Sequence, residues 1–259
     1  MRPAEHLRGL FSLEGRTAVV TGGSSGIGFA IAAALAGAGA RTVLVARDPD
    51  RLEAAARDIR DRGGDVLPVP ADLATRPGVA EAIAAVVAAA GEPDVVVSAA
   101  GVNLRPPMQE LDEAVWDATL RLNLDAPFLL GQRFGPCMAA RGYGRLIAIS
   151  SQQAHRAFVD SGAYGVSKAG LEALARSQAE AWSASGVTSN VLVPGFVLTP
   201  LNARLQQDPA RVAALAARTM VGRNGLPDDF ATAALFLASP ASGYVTGQAV
   251  FVDGGFSVH

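Results

Sequence analysis

Thr17-Ala18-Val19-Val20-Thr21-Gly22-Gly23-Ser24-Ser25-Gly26-Ile27-Gly28 is the stretch that decides the fold. Its first five residues are β-branched or apolar on both faces, as a strand covered on each side requires. A glycine-rich turn follows, and from Gly28 to Gly37 the apolar residues take a helical period. Glycines in such a turn allow close backbone approach to a pyrophosphate, whose charge a helix N-terminus favours. Gly22, Gly26 and Gly28 span one residue more than the G-x-G-x-x-G fingerprint, and the Gly-Lys-Ser/Thr of a P-loop is absent. The expected phosphate contacts are Gly22, Ser24, Ser25, Gly26, Ile27 and Gly28.

Working outward, the same rhythm repeats. Thr42–Ala46, Asp65–Val69, Val95–Ser98, Leu146–Ile149, Ser189–Val193 and Ala249–Val252 read as further buried strands. Helical patterns such as Arg51–Arg60 and Ala163–Ser185 lie between them. The spacing predicts an α/β fold: one doubly wound domain over residues 1–259, with a seven-stranded parallel sheet and helices on both faces. Pro200 to Gly225 interrupts the rhythm before the last strand. Residues 200–225 are therefore expected to form a substrate-lid insertion beyond a strand's carboxyl end, where such sheets bind ligands.

Composition narrows the partners. The net charge is -2, so neither nucleic acid nor an anionic membrane is an expected partner. The longest apolar stretch, Ala82 to Ala90, is far short of a membrane span. Met1 to Ser12 lacks the apolar core of an export signal, which points to the cytoplasm. The single Cys137 sits among apolar residues and reads as a small buried hydrophobe; no metal site is expected. His6 and His259 lie near the termini, where disorder is the default. Of 22 basic residues only one, Lys168, is a lysine.

The end of the second strand bears on which dinucleotide binds. An acidic residue there would bond a ribose 2′-hydroxyl, and an arginine would accept a 2′-phosphate. Val45-Ala46-Arg47-Asp48 offers Arg47 and no acid at position 46, which favours NADP(H) over the alternative, NAD(H). Asp48 and Asp50 compete as ordinary helix caps. Further along, Tyr164-Gly165-Val166-Ser167-Lys168 sets a phenol and an ammonium four residues apart on one helix face. A nearby cation lowers a phenol's pKa from about 10 toward a useful range. Ser151, thirteen residues upstream, can bond a substrate oxygen. Taken alone, a Tyr–Lys pair is as well read as plain helix surface.

Together the glycine turn, Ser151, Tyr164 and Lys168 resemble the short-chain dehydrogenase/reductase family in its single-domain form, with a Rossmann-type fold. The resemblance runs from about Ser12 to the end. It includes Asp72-Leu73, Leu122-Asn123-Leu124, Pro194-Gly195 with Val197 and Thr199, and Val252-Asp253-Gly254-Gly255. By that resemblance the chain is an NAD(P)(H)-dependent oxidoreductase interconverting a carbonyl and a secondary alcohol. Tyr164 would be the acid/base, Ser151 would polarise the substrate oxygen, and Lys168 would tune Tyr164 and hold the nicotinamide ribose. Asn123 would support a proton-relay water. Asp72 and Leu73 would flank the adenine, with Ala100, Gly101, Pro194, Gly195, Val197 and Thr199 lining the rest of the cofactor. Two departures stand out. Ser98-Ala99-Ala100-Gly101 replaces Asn-Asn-Ala-Gly, which puts the bracing of the central sheet in question, and Ser25 stands where many NADP-preferring relatives are basic.

Gln153, His155 and Phe196 are candidate substrate contacts, together with residues around Asn103; for His155 an exposed loop position competes equally. Trp116 and Trp182 read as packing. Leu10 to Gly15 and Gly222-Arg223-Asn224-Gly225 look similar to members acting on sugar acids, such as gluconate 5-dehydrogenases. A 3-oxoacyl-thioester reductase shares the same catalytic residues and is the alternative. A non-catalytic dinucleotide sensor is the alternative from another class, disfavoured by the intact Ser151, Tyr164 and Lys168. The family resemblance also implies a homotetramer, through the face Leu171 to Ala181 and the stretch Tyr244 to Phe256.

Overall fold

All seven strands join one sheet, in the order β3-β2-β1-β4-β5-β6-β7, and every neighbouring pair is parallel. The computed structural model describes residues 3–259, with side chains from Glu5 onward; Met1 and Arg2, which belong to the stretch read for an export signal, lie outside the described residues. A helix not foreseen in the sequence, α1 (Pro3–Phe11), comes first and contains His6. There follow β1 (Thr17–Thr21), α2 (Gly26–Gly37), β2 (Arg41–Ala46), α3 (Pro49–Asp61), β3 (Val66–Pro70) and α4 (Arg76–Ala90). The second half runs β4 (Val95–Ser98), α5 (Glu113–Leu120), α6 (Ala126–Ala140), β5 (Gly144–Ile149), α7 (Gly162–Trp182) and β6 (Val187–Pro194). Short helices α8 (Ala203–Gln206) and α9 (Pro209–Ala217) precede α10 (Ala231–Ala238) and β7 (Ala249–Val252).

Alternation along the strands builds two apolar layers. Val20 faces Ile31 and Leu35 of α2, Leu52 of α3 and Leu237 of α10. Val19 faces the other way, with Val79 of α4 and Phe134 and Met138 of α6. Cutting Phe134, which is fully buried, back to alanine would cost about 3–5 kcal/mol. The chain order reverses between β1 and β4, and the carboxyl ends of these two strands open the crevice where such sheets bind ligands.

Three strands begin earlier than the apolar runs suggest, β2 by one residue and β5 and β6 by two. Gly144 and Arg145 pair with Val187 and Thr188, extending both β5 and β6 through polar residues. Arg145 is tolerated because its guanidinium lies 4.3 Å from the Tyr143 ring centroid and donates to the carbonyls of Gly144 and Ser239. Trp182 packs over Gly135, where a Cβ would stand 2.4 Å from its ring, whereas Trp116 stays partly exposed. Where the amides are replaced, one tie across the turn after β4 is made by Thr21. Thr21 Oγ1 accepts hydrogen bonds from the N–H groups of Ala99 and Ala100, both at 3.1 Å, and so ties β1 to the turn after β4.

Candidate active site

The crevice holds a cavity of about 300 Å³. On one wall stands the glycine turn, whose geometry only glycine supplies. Gly22 has φ +68°, and a Cβ on it would lie 2.8 Å from Ala100 N. A Cβ at Gly28 would lie 2.4 Å from Gly22 O, so any side chain there displaces the turn. Gly22, Ser25, Gly26, Ile27 and Gly28 all line the cavity. At the start of α2, Ser25 makes no side-chain cap and no acid occupies the first turn, so the helix's N-terminal charge is left for a ligand. Ser24 instead borders an adjoining recess of about 350 Å³ with Ser25 and Arg51.

Arg51 was missed in the sequence, and it lines both spaces. Arg47 stands exposed past β2 and lines neither. The reason is local: the Asp48 carboxylate accepts from the N–H groups of Asp50 and Arg51 and caps α3, which sets Arg51 in the first helical turn. Asp72 and Leu73 also stand outside the cavity lining. Asp72 accepts from Ala74 N at 3.1 Å, and Leu73 belongs to the apolar layer with Val79. Ala100, Gly101, Pro194, Gly195, Val197 and Thr199 line the cavity.

Ser151, Tyr164 and Lys168 converge on its floor. Tyr164 is 7% exposed, and Ser151 is its hydrogen-bond partner; Ser151 Oγ also accepts from Gln153 N at 3.2 Å. Lys168 Nζ lies 5.6 Å from the Tyr164 ring centroid and donates to Ile149 O at 2.8 Å, leaving two of its three N–H groups for other partners. Asn123 is directed inward by a π-helical turn over Arg121–Asp125. Its Oδ1 accepts from Val102 N, and its Nδ2 donates to Val102 O, each at 2.9 Å, and also to Ser167 Oγ. Asn123 therefore stands behind the cavity wall. A Cβ at Gly101 would fill the gap between Asn123 Oδ1, at 3.1 Å, and Lys168 Nζ, at 3.7 Å.

Burial pulls Lys168 down to about 8, but burial also pushes the Tyr164 phenol up, against the Ser151 hydrogen bond and the charge of Arg105. The Lys168 ammonium stands over the Tyr164 ring. Arg105, unsignalled in the sequence, is half-buried in the loop beyond Gly101 and donates to the carbonyls of Asp160 and Val159. Burial and then the like charge of Arg211 on α9 pull it down.

Of the three substrate candidates, Gln153 lines the cavity and accepts from Ser161 Oγ at 2.7 Å. His155 does not; its Nε2 lies 2.9 Å from Glu172 Oε1, and its ring packs on Phe251 at 4.9 Å. Phe196 lines a separate cavity of about 320 Å³, and Gly195 borders both. Asn103 Oδ1 is buried at the cavity without a hydrogen-bond partner. Among the described residues, no cluster of three His, Cys, Asp or Glu side chains suits a metal ion.

These features fit a dinucleotide: an uncapped helix N-terminus at a turn closed to side chains, a gap at Gly101 beside Lys168, and a buried phenol that can move a proton.

A family model described as Enoyl-(Acyl carrier protein) reductase matches residues 22–257. The chain is 34% identical over 249 residues to the gluconate 5-dehydrogenase of Gluconobacter oxydans (strain 621H), covering 96% of this chain and 97% of that one. It is 36% identical over 256 residues to the galactitol 2-dehydrogenase (L-tagatose-forming) of Cereibacter sphaeroides, covering 97% and 98%. A solved gluconate 5-dehydrogenase from Burkholderia cenocepacia J2315, in complex with NADP and tartrate, superposes with a TM-score of 0.92 at 37% identity, covering 98% of this chain and 100% of that one.

Proposed function

The chain belongs to the short-chain dehydrogenase/reductase family, and from that premise we propose that it interconverts a secondary alcohol and a ketone on a sugar acid, with NADP(H) as cofactor. A bound nicotinamide dinucleotide supplies the two-electron acceptor or donor. The remaining steps belong to the chain itself. Gly22, Gly26, Ile27 and Gly28 hold the pyrophosphate at the start of α2, and Arg51 with Ser25 faces the 2′-phosphate, helped by Arg47. Lys168 offers its two spare N–H groups to the nicotinamide ribose. Ser151 Oγ holds the substrate oxygen, and Tyr164 Oη gives or takes its proton. Asn123 orders the wall behind Lys168.

The observation that carries the reaction is the meeting of Ser151, buried Tyr164 and Lys168 in the cavity that the glycine turn bounds. The sugar-acid reading rests on Arg105. Its charge reaches Tyr164, and among the described residues no carboxylate pairs with it within 4 Å, Asp160 acting on it only from farther off, so a substrate carboxylate has a partner close to the proton-transfer group. The gluconate and galactitol relatives offer the two chemistries to separate. Sugar acids, polyols and oxoacyl thioesters, each assayed with NADP(H) and NAD(H), provide the test. A sugar acid with NADP(H) should give the highest kcat/KM; preference for a polyol or thioester overturns the reading.

Residues 200–225 serve as the substrate lid in this reading, since Pro200, Leu201 and Asn202 border the cavity. Large apolar side chains left exposed on α5, α6 and α7 (Trp116, Phe128, Val166), before β7 (Tyr244) and on β7 (Phe251) support a homotetramer, which a monomeric elution volume would sink. The protein would work in the cytoplasm, where the single unpaired thiol of Cys137 stays reduced.

A further inference from the structure

We propose that Glu172 is a positioning residue of this reaction: through Ser150 and His155 it holds the segment that carries Ser151 against the helix that carries Tyr164 and Lys168. Glu172 lies one helical turn past Lys168 on α7, outside the cavity lining, and is 6% exposed. Its Oε1 accepts from Ser150 Oγ at 2.6 Å and meets His155 Nε2 at 2.9 Å. Lys168 O also lies within 3.4 Å of Ser150 Oγ, but the single hydroxyl proton goes to the shorter contact.

Those two contacts bracket the reacting group. Between Ser150 and His155 lie Ser151 and the 3₁₀ turn Gln152–Ala154. Just before the bracket, Ile149 O accepts from Lys168 Nζ. The segment is therefore fastened to α7 on both sides of Ser151, by a carboxylate on the same helix as the proton donor. A buried carboxylate is costly once its partners leave, so the segment cannot drift without uncovering Glu172. His155 adds a second hold by resting its ring on Phe251 of β7. The other charged groups near this assembly are Lys168 and Arg176 on α7, Arg156 beside His155, which donates to Ser257 O, Asp253 past β7, which receives a bond from Gln152, and Arg105 on the loop beyond Gly101.

The inference rests on the proposed role of Ser151, and the test separates the two. His155→Phe keeps a ring for Phe251 and removes the bond; Glu172→Gln keeps the size and an acceptor for Ser150; Glu172→Ala removes both. A displacement near 1 Å at a reacting group costs about 10²-fold. His155→Phe and Glu172→Gln should each lower kcat about tenfold, and Glu172→Ala about 10²-fold, with the KM for the dinucleotide within about twofold. Because the Ser151 bond draws the Tyr164 phenol down, loosening it should also move the rising limb of kcat in the oxidation direction, where Tyr164 is the base, to higher pH. A kcat unchanged in folded His155→Phe and Glu172→Gln overturns the proposal, and so does a fall in kcat with an unmoved limb. Ser151→Ala is the control: if it retains full activity, the proposed reaction roles fail first.

Discussion

The two walls of the cleft are built on different principles. On the β1–α2 wall the backbone makes the site: Gly22 and Gly28 bring main chain within 2.8 and 2.4 Å of where a Cβ would stand, and no side chain is needed to shape the turn. The opposite wall, from Gly195 to Gly225, is shaped by side chains on short helices. Asn202 Nδ2 ties back to Val197 O, Gln206 Nε2 to Thr199 O, and Asn224 Nδ2 to Val212 O. Leu201, Met220 and Val221 are left exposed there. A backbone-built wall suits a ligand common to many enzymes, and a side-chain-built wall can be retuned residue by residue for a substrate.

Tyr164 stands at the seam between the walls, so its removal gives the largest effect and the cleanest separation of them. Tyr164→Phe should lower turnover on the order of 10³-fold, while dinucleotide affinity, measured by fluorescence titration, stays near wild type. Loss of both together would mean that the walls are one unit. Lys168→Arg comes next. A planar guanidinium cannot reproduce a compact ammonium bonded to Ile149 O over the Tyr164 ring, and about a 10²-fold loss is expected despite the kept charge. Near wild-type kcat in that variant would reduce Lys168 to a point charge.

The same contrast explains what the sequence disclosed. The sheet and the glycine turn were legible because a covered strand must be apolar on both faces and a close backbone approach must be glycine. Ser151, Tyr164 and Lys168 were legible from their order and spacing. Arg105, Arg51 and the Glu172–His155 contact were not, because each depends on where a loop or first helical turn sets a side chain. His155 shows the limit well. Its place in a polar stretch after Ser151 suggests substrate contact, yet a carboxylate seventeen residues away, buried on α7, claims its ring nitrogen.

The NADP end of the backbone-built wall is where side chains return, and it supplies a sharper test. Arg51 borders both the cavity and the adjoining recess, whereas Arg47 borders neither. A charge-assisted bond to a phosphate contributes about 1.5–3 kcal/mol, so Arg51→Ala should weaken NADP(H) about 10- to 100-fold. NAD(H) affinity should stay unchanged, and Arg47→Ala should do less. A larger effect at Arg47 would return the 2′-phosphate to the end of β2.

The smallest expected effect is one of stability, and it comes from the same seam. Burial lowers Lys168 from 10.5 in an exposed chain to about 8 in the fold. Between those values the unfolded chain carries a proton that the folded one lacks, so unfolding free energy rises with pH across that window. Above about 10.5 the burial penalty vanishes, and below about 8 it is present in full. One proton sets the ceiling on the slope, about 1.4 kcal/mol per pH unit. Buried Tyr143 and Tyr164, both pushed up, act in the opposite sense once exposed tyrosines ionise near pH 10, so the comparison belongs between pH 8 and 9.5. Over that interval, urea unfolding of the wild type should show stability rising relative to Lys168→Met. Parallel stability curves would mean that the ammonium keeps its charge within the fold, and that the seam between the walls is more polar than its burial implies.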